Sequence, residues 1–246
     1  LLRSTELLTL RSPRAYRVAF FAFVLTLALI SGAILFVAPP MQMYGAHDSP
    51  VFLNGAWKVL HGLRPHTDFY SPLGELCFLL PAIAMALVGR GMFALYVSEL
   101  LFAVPCLLGA WWFLKPRLSP VHAFLITCFS ALEMLRMNYI SGDFRWIGFT
   151  GSNYNKQCTG LFLLLIPILF LPRFKCSLKE ERQDGVAIGI ILGLLAFIKI
   201  SYFISALPLV AWSFACADWE NFGTRMAKLI LTGAVVFLLV PAGLLS

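Results

Sequence analysis

The chain has 246 residues, of which 60% are hydrophobic and 13% charged, with a mean hydropathy of +0.84. A soluble domain carries about 25% charged residues, so this composition excludes an ordinary water-soluble enzyme and predicts an integral membrane protein. The formal charge of +7 lies mostly in short segments between apolar runs, where Lys and Arg set membrane orientation, and is not the signature of a nucleic-acid partner.

The first apolar run, 18–38, is long enough to cross the bilayer, which takes about 20 residues. Residues 1–17 carry Arg3, Arg11, Arg14 and Arg17 and are expected on the cytoplasmic side, with no cleavable signal peptide. Residues 39–91 then form a first outside loop. Within it Asp48-Ser49-Pro50 predicts a helix start, because an acceptor side chain caps free N–H groups and Pro is tolerated in the first turn. Apolar residues at 52, 53, 56, 57, 59 and 60 mark an amphipathic helix lying on the membrane surface, with Gly62 as its stop. A turn-rich connector, Leu63 to Gly74, leads into the run 73–88.

That run has Glu75 at its start and Pro81 inside it, and by length it is either a short span or an interfacial helix. The excess of Lys and Arg in cytoplasmic loops decides between them. If the run skims the surface, twelve of the 19 basic residues fall inside; if it crosses, nine do. The surface placement is the expectation.

Further spans are predicted at 92–114 and 121–140, with the Trp111-Trp112 pair as an interface anchor. A second outside loop, 141–157, follows, and a segment at 158–172 returns inward. The stretch from 185 to 217 is apolar except for Lys199 and too long for one span, so it predicts two short helices hinged near Lys199, Ile200 and Ser201. The run 229–245 begins a last outward span. Six scattered cysteines without Cys-x-x-Cys spacing read as small core hydrophobes. The start at Leu1 and the stop at Ser246 within an apolar run read as an N-terminal fragment. The expected fold is all-α: one polytopic transmembrane helical bundle over 1–246, with interfacial helices in its first outside loop.

This topology gathers Glu99, Glu133, Arg136 and Lys199, together with Asp48, Asp68 and Asp143, toward the outer face. Mixed charge on one side is the geometry of a site where a membrane-borne substrate meets a water-borne one. Taken as residues alone, each has a plainer reading. Asp48 is a helix cap or a base, and Lys199 is a site cation, a snorkelling side chain or the partner of Glu99 or Glu133. Asp143 and Arg145 form a site or a surface pair, while Glu133 and Arg136 at i,i+3 pair with each other.

A single N-terminal span, an Asp opening an amphipathic helix, Ala56-Trp57-Lys58-Val59-Leu60-His61-Gly62, Pro65 and Asp68-Phe69-Tyr70-Ser71-Pro72-Leu73-Gly74 together resemble the first luminal loop of the GT-C glycosyltransferases. The nearest branch is that of the protein O-mannosyltransferases and aminoarabinose transferases. The run Ile190 to Lys199 is similar to the glycine-rich helix ending in Lys of that superfamily, and Asn153-Tyr154-Asn155-Lys156 resembles a Tyr-Asn-Arg type motif of some members. Two departures bear on the donor: Ser49 follows Asp48 where mannosyltransferases carry a second acid, and Tyr70-Ser71-Pro72 replaces a Glu-Lys-Pro motif of aminoarabinose transferases.

The resemblance implies transfer of a sugar from a polyprenyl-phosphate donor to an acceptor hydroxyl on protein, lipid or polysaccharide, at the outer face of a multi-pass protein of the bacterial cytoplasmic membrane with its N-terminus inside. Such chemistry needs a base for the acceptor hydroxyl and positive charge for the departing phosphate. The resemblance gives these roles to Asp48 and Lys199. Asp68, Asp143, Arg145, Asn155 and Lys156 are the candidate substrate-binding residues. No cofactor is assigned with certainty; a divalent cation on Asp48 and Asp143 is an open option, and the His47, His61 and His66 spacing is unlike a zinc pattern. No nucleotide-binding motif is present, so the energy arrives with the donor. The competing readings are a transporter or channel for an anionic solute, with Lys199 at a helix break, and a non-catalytic membrane scaffold.

Overall fold

The structure is a computed structural model that describes residues 12–37, 49–135, 138–140, 145–147, 153–171, 178–215, 232 and 234–235. Helix α1, Pro13–Gly32, starts where Ser12 Oγ accepts the Ala15 N–H at 3.0 Å and Pro13 enters the first turn. Capping chemistry therefore begins it before the apolar run does. A π-helical turn, Ala33–Val37, extends it.

Helix α2, Ser49–Leu60, is the amphipathic helix of the first loop, and it stops at the predicted glycine. Gly62 has a φ of 81°; its N–H bonds Val59 O at 3.0 Å while the Leu63 N–H bonds Lys58 O at 3.1 Å. This paired closure uses the left-handed conformation that glycine adopts without strain. Helix α3, Leu76–Val88, has 13 residues and so reaches about 20 Å, short of the roughly 30 Å of a hydrocarbon core. It packs against α2 by laying the Phe78 ring over Gly55, in the space a Cβ would take.

The remaining helices are α4, Met92–Leu114, α5, Pro120–Leu135, α6, Asn153–Phe170, α7, Leu178–Ile198, and α8, Ile200–Ala215. Two segments, Pro13–Phe36 and Met92–Leu114, are long and apolar enough to cross a membrane; α3, α5, α6 and α8 are apolar but shorter. The fold described is all-helical apart from one small ladder. There β1, Asn138–Ile140, pairs antiparallel with β2, Arg145–Ile147, matching Tyr139 to Trp146.

Three boundaries differ from expectation. The span expected to reach 140 ends at Leu135, because Tyr139, Ile140, Trp146 and Ile147 are strand formers. The second loop ends five residues early, since Asn153 opens α6 and takes Asn155 and Lys156 into its first turn. Helix α7 begins at Leu178, ahead of the apolar run, with Glu180 and Glu181 in its first turn, where carboxylates suit the helix dipole.

Neighbouring helices pack in sequence, α4 on α5, α5 on α6, α6 on α7 and α7 on α8, while α1 lies on α5. At one end Tyr16 Oη donates to Leu118 O at 2.6 Å and Phe23 stacks on Trp111 at 5.7 Å. The Trp pair is thus divided. Trp111 is buried in the core while Trp112 is 69% exposed, as successive positions on a helix point about 100° apart. The same end holds a buried ion pair. Arg117 bonds the Asp184 carboxylate, and also donates to Leu171 O at 3.1 Å and Phe113 O at 2.6 Å. Cys77, Cys128 and Cys158 are buried free thiols, and Cys106 is partly buried.

Candidate functional site around Lys199

The predicted hinge is a one-residue break at Lys199 between α7 and α8. Its N–H still bonds Leu195 O at 2.8 Å, closing α7, and its carbonyl accepts the Tyr202 N–H at 3.0 Å, opening α8. The chain therefore turns without leaving the Lys199 amide unpaired. The last carbonyls of a helix lack partners inside it, and here the first loop supplies them. Gly74 N–H donates to Ile198 O at 3.0 Å, and Cys77 Sγ reaches the same oxygen at 3.6 Å. Gly74 is required by space: a Cβ there would fall on the Phe197 carbonyl. This contact docks the first loop onto the helix break.

The Lys199 ammonium is held from three sides. Nζ donates to Asn155 Oδ1 at 3.1 Å and lies 4.9 Å from the Tyr154 ring centre and 5.8 Å from that of Tyr202. Ring faces attract a cation through their quadrupole without neutralising it. Among the described residues no carboxylate pairs with Lys199, so the ion pair with Glu99 or Glu133 does not form. The side chain is half-buried, and its charge is left to act on whatever enters beside it.

Tyr154 joins this platform to helix α2, for its ring lies 6.1 Å from that of Phe52. Phe52 is four positions beyond Asp48. Asp48 and Asp143 themselves lie outside the described residues, as do His47 and Arg136. Position 145 is on β2, but its side chain is outside the description. Lys156 is 4% exposed, and its ammonium acts on Glu99 of α4, itself 2% exposed. Glu99 borders a narrow crevice of about 30 Å³ with Phe52, Cys77, Tyr154 and Gln157. Asn155 and Lys199 are thus brought together, while Lys156 is turned to Glu99. Asp68 is engaged differently: its Oδ2 accepts the Arg64 N–H at 2.7 Å, closing an exposed turn in which His66 has a φ of 68°.

At the foot of α3, partial burial pushes the Glu75 carboxyl above the usual carboxylate range, while His66 pulls the other way. Among the described residues no three His, Cys, Asp or Glu side chains converge as a metal site. One member of the platform, and one contact beside it, escaped the sequence reading. Tyr202 sits three positions after Lys199, the spacing of neighbours on one helix face, and that spacing was the available signal. The link from Glu99 to Lys156 had none, because it joins separate helices.

Compared with protein-family models, curated proteins and solved structures, the chain matches none. The geometry at Lys199 therefore carries the functional argument by itself. It offers an unneutralised ammonium, fixed by an amide and two aromatic rings, at the junction of two apolar helices and one docked loop. Such a group suits a phosphate at a membrane surface, since an ammonium is a compact charge with rotatable donors.

Proposed function

We propose that this chain is a multi-pass membrane glycosyltransferase of the GT-C kind, moving a sugar from a polyprenyl phosphate to an acceptor hydroxyl outside the cytoplasm. Lys199 binds the phosphate of the donor. Asp48 takes the proton of the acceptor hydroxyl, whose oxygen attacks the anomeric carbon as the bond to phosphate breaks and polyprenyl phosphate leaves. The observation that carries this reading is the Lys199 ammonium, charge-free of carboxylates among the described residues and held at a helix break onto which the first loop docks.

Two further features support it. The peptide bond ties Asp48 to Ser49, and the first turns of α2 pack against the Tyr154 ring that also faces Lys199. The 13-residue α3 is too short to cross an undeformed bilayer, in keeping with a helix that skims the surface and leaves both ends of the first loop on one side. The N-terminus is then inside, and the bacterial cytoplasmic membrane, where polyprenyl-phosphate sugars meet their acceptors, is the location.

The test uses the purified chain in nanodiscs with polyprenyl-phosphate mannose or polyprenyl-phosphate aminoarabinose and a hydroxyl acceptor (a Ser/Thr peptide, a glycolipid or a polysaccharide), following release of polyprenyl phosphate. Lys199→Ala should weaken donor binding about tenfold or more, since a hydrogen bond to a charged group contributes roughly 1.5–3 kcal/mol. Asp48→Asn should abolish release while leaving donor binding intact. Unchanged donor affinity in the first variant, or turnover in the second, overturns the reading.

A further inference from the structure

Away from Lys199 the bundle has an apolar groove of about 450 Å³ between α3, α4, α6 and α7. From Leu101 to Phe113 along α4 its wall covers twelve residue steps, about 18 Å of helix. One leaflet of hydrocarbon is about 15 Å thick, half of the roughly 30 Å core. The groove therefore has the length of a single acyl chain of one leaflet.

Its two ends differ chemically. Toward α3 it closes on Leu76, Leu80 and Leu194. Toward the Arg117 end it reaches Phe113, and Phe113 is also the wall of a second hollow of about 480 Å³ lined by Lys179, Arg182, Gln183 and Val186. Helical spacing explains the continuity. Positions 179, 182, 183 and 186 share one face of α7, and the same stripe runs on as Ala187, Ile190, Ile191 and Leu194. One helix face thus changes from cationic to apolar along its length. Glu180 and Glu181 of the same turn point away from that face by helical spacing. Among the described residues neither Lys179 nor Arg182 pairs with a carboxylate.

We propose that the groove and its mouth hold one anionic phospholipid, with an acyl chain along α7 and α4 and the phosphate between Lys179 and Arg182. With the N-terminus inside, this lipid belongs to the cytoplasmic leaflet. The inference rests on the membrane embedding of the chain and is independent of sugar transfer. Charge complementarity sets the direction of the lipid, because the cations stand at one end of the groove only. The Lys199 phosphate site lies at the opposite end of α7.

The glycine at position 109 supplies a clean test. It lines the groove, and a Cβ built there meets nothing within 4 Å, so the first carbon of a Leu side chain has open space there, and Gly109→Leu adds apolar bulk to the groove with better helix propensity. The whole chain, delipidated in detergent, is titrated with phosphatidylglycerol or phosphatidylcholine of matched chains, and bound lipid is read by native mass spectrometry and by the thermal midpoint. Phosphatidylglycerol should remain bound to the wild type and raise its midpoint, and phosphatidylcholine should not. Lys179→Gln with Arg182→Gln should lower phosphatidylglycerol affinity about tenfold or more, and Gly109→Leu should abolish retention. Equal binding of both lipids by the wild type overturns the proposal, as does retention by Gly109→Leu. Polyprenyl phosphate displacing phosphatidylglycerol with undiminished affinity for the Lys179/Arg182 variant also overturns it, since the groove would then serve a donor chain headed at Lys199. Loss of sugar release with lipid retention intact would count against the enzymatic reading alone.

Discussion

Lys199 Nζ lies 3.1 Å from Asn155 Oδ1, a contact that joins positions 44 residues apart on α6 and α7–α8. An amide oxygen orients an ammonium while leaving its charge in place. That distinguishes this arrangement from an ion pair, in which the charge would be spent on a protein carboxylate.

The prediction for Asn155 follows from that distinction. Asn155→Ala frees the ammonium and should raise the donor KM by about tenfold, with little change in kcat. Asn155→Asp should be worse than Asn155→Ala, because the new carboxylate neutralises Lys199. Donor titrations of the two variants give the order, and a better-binding Asp variant would show that positive charge at Lys199 is not what the donor meets.

Gly74→Ala should loosen the first loop from the helix break. The added Cβ meets backbone, which cannot step aside, so a cost of about 2 kcal/mol or more is expected from overpacking. Gly62→Ala is the control: nothing fills the space there, and only the left-handed φ opposes it, at about 1 kcal/mol. Thermal melting in detergent should rank wild type above Gly62→Ala and Gly62→Ala above Gly74→Ala. Gly74→Ala melting with the wild type would contradict the docking.

Asp184→Ala strands the Arg117 guanidinium, which is buried with its partner. Removing one side of a buried pair costs about 3 kcal/mol or more, so this variant should lose stability or fail to accumulate. Exchanging both residues for apolar ones, as Arg117→Met with Asp184→Leu, should recover much of the loss. If the single variant is as stable as the wild type, the pair does not tie α7 to the α4–α5 turn.

Glu75 gives a pH signature. Burial raises its carboxyl in the folded chain, so the fold favours the protonated form. The associated stability is complete below the unfolded value of 4.5 and is lost as pH rises through the folded value. Glu75→Gln should therefore melt above the wild type at neutral pH, and the gap should close as the pH is lowered. A gap that widens toward acid would reverse the assigned cause.

Topology is tested by single cysteines in a Cys-free background. Tyr70 is 90% exposed and Lys179 is exposed as well, so both accept an impermeant maleimide. Tyr70→Cys should label from outside whole cells and Lys179→Cys only after permeabilisation. Labelling of both from one side would refute the surface placement of α3.

Much of the architecture was legible in the residues because its causes are local. Hydropathy gave the apolar helices, Gly62 gave the end of α2, and a lone Lys in a run too long for one helix gave the break at 199. Asn155, Lys156 and Lys199 were marked by type and by their place between apolar runs. Locality also explains the errors at 135, 153 and 178, where strand propensity or polar first turns set an end that hydropathy does not register. What only tertiary structure decided are contacts between segments far apart in the chain: the Gly74 amide on the Ile198 carbonyl, the Tyr154 and Tyr202 rings around one ammonium, Arg117 on Asp184, and Trp111 buried while Trp112 is not. Periodicity fixes which face a residue occupies; which helix that face meets depends on packing, and only the packed chain determines it.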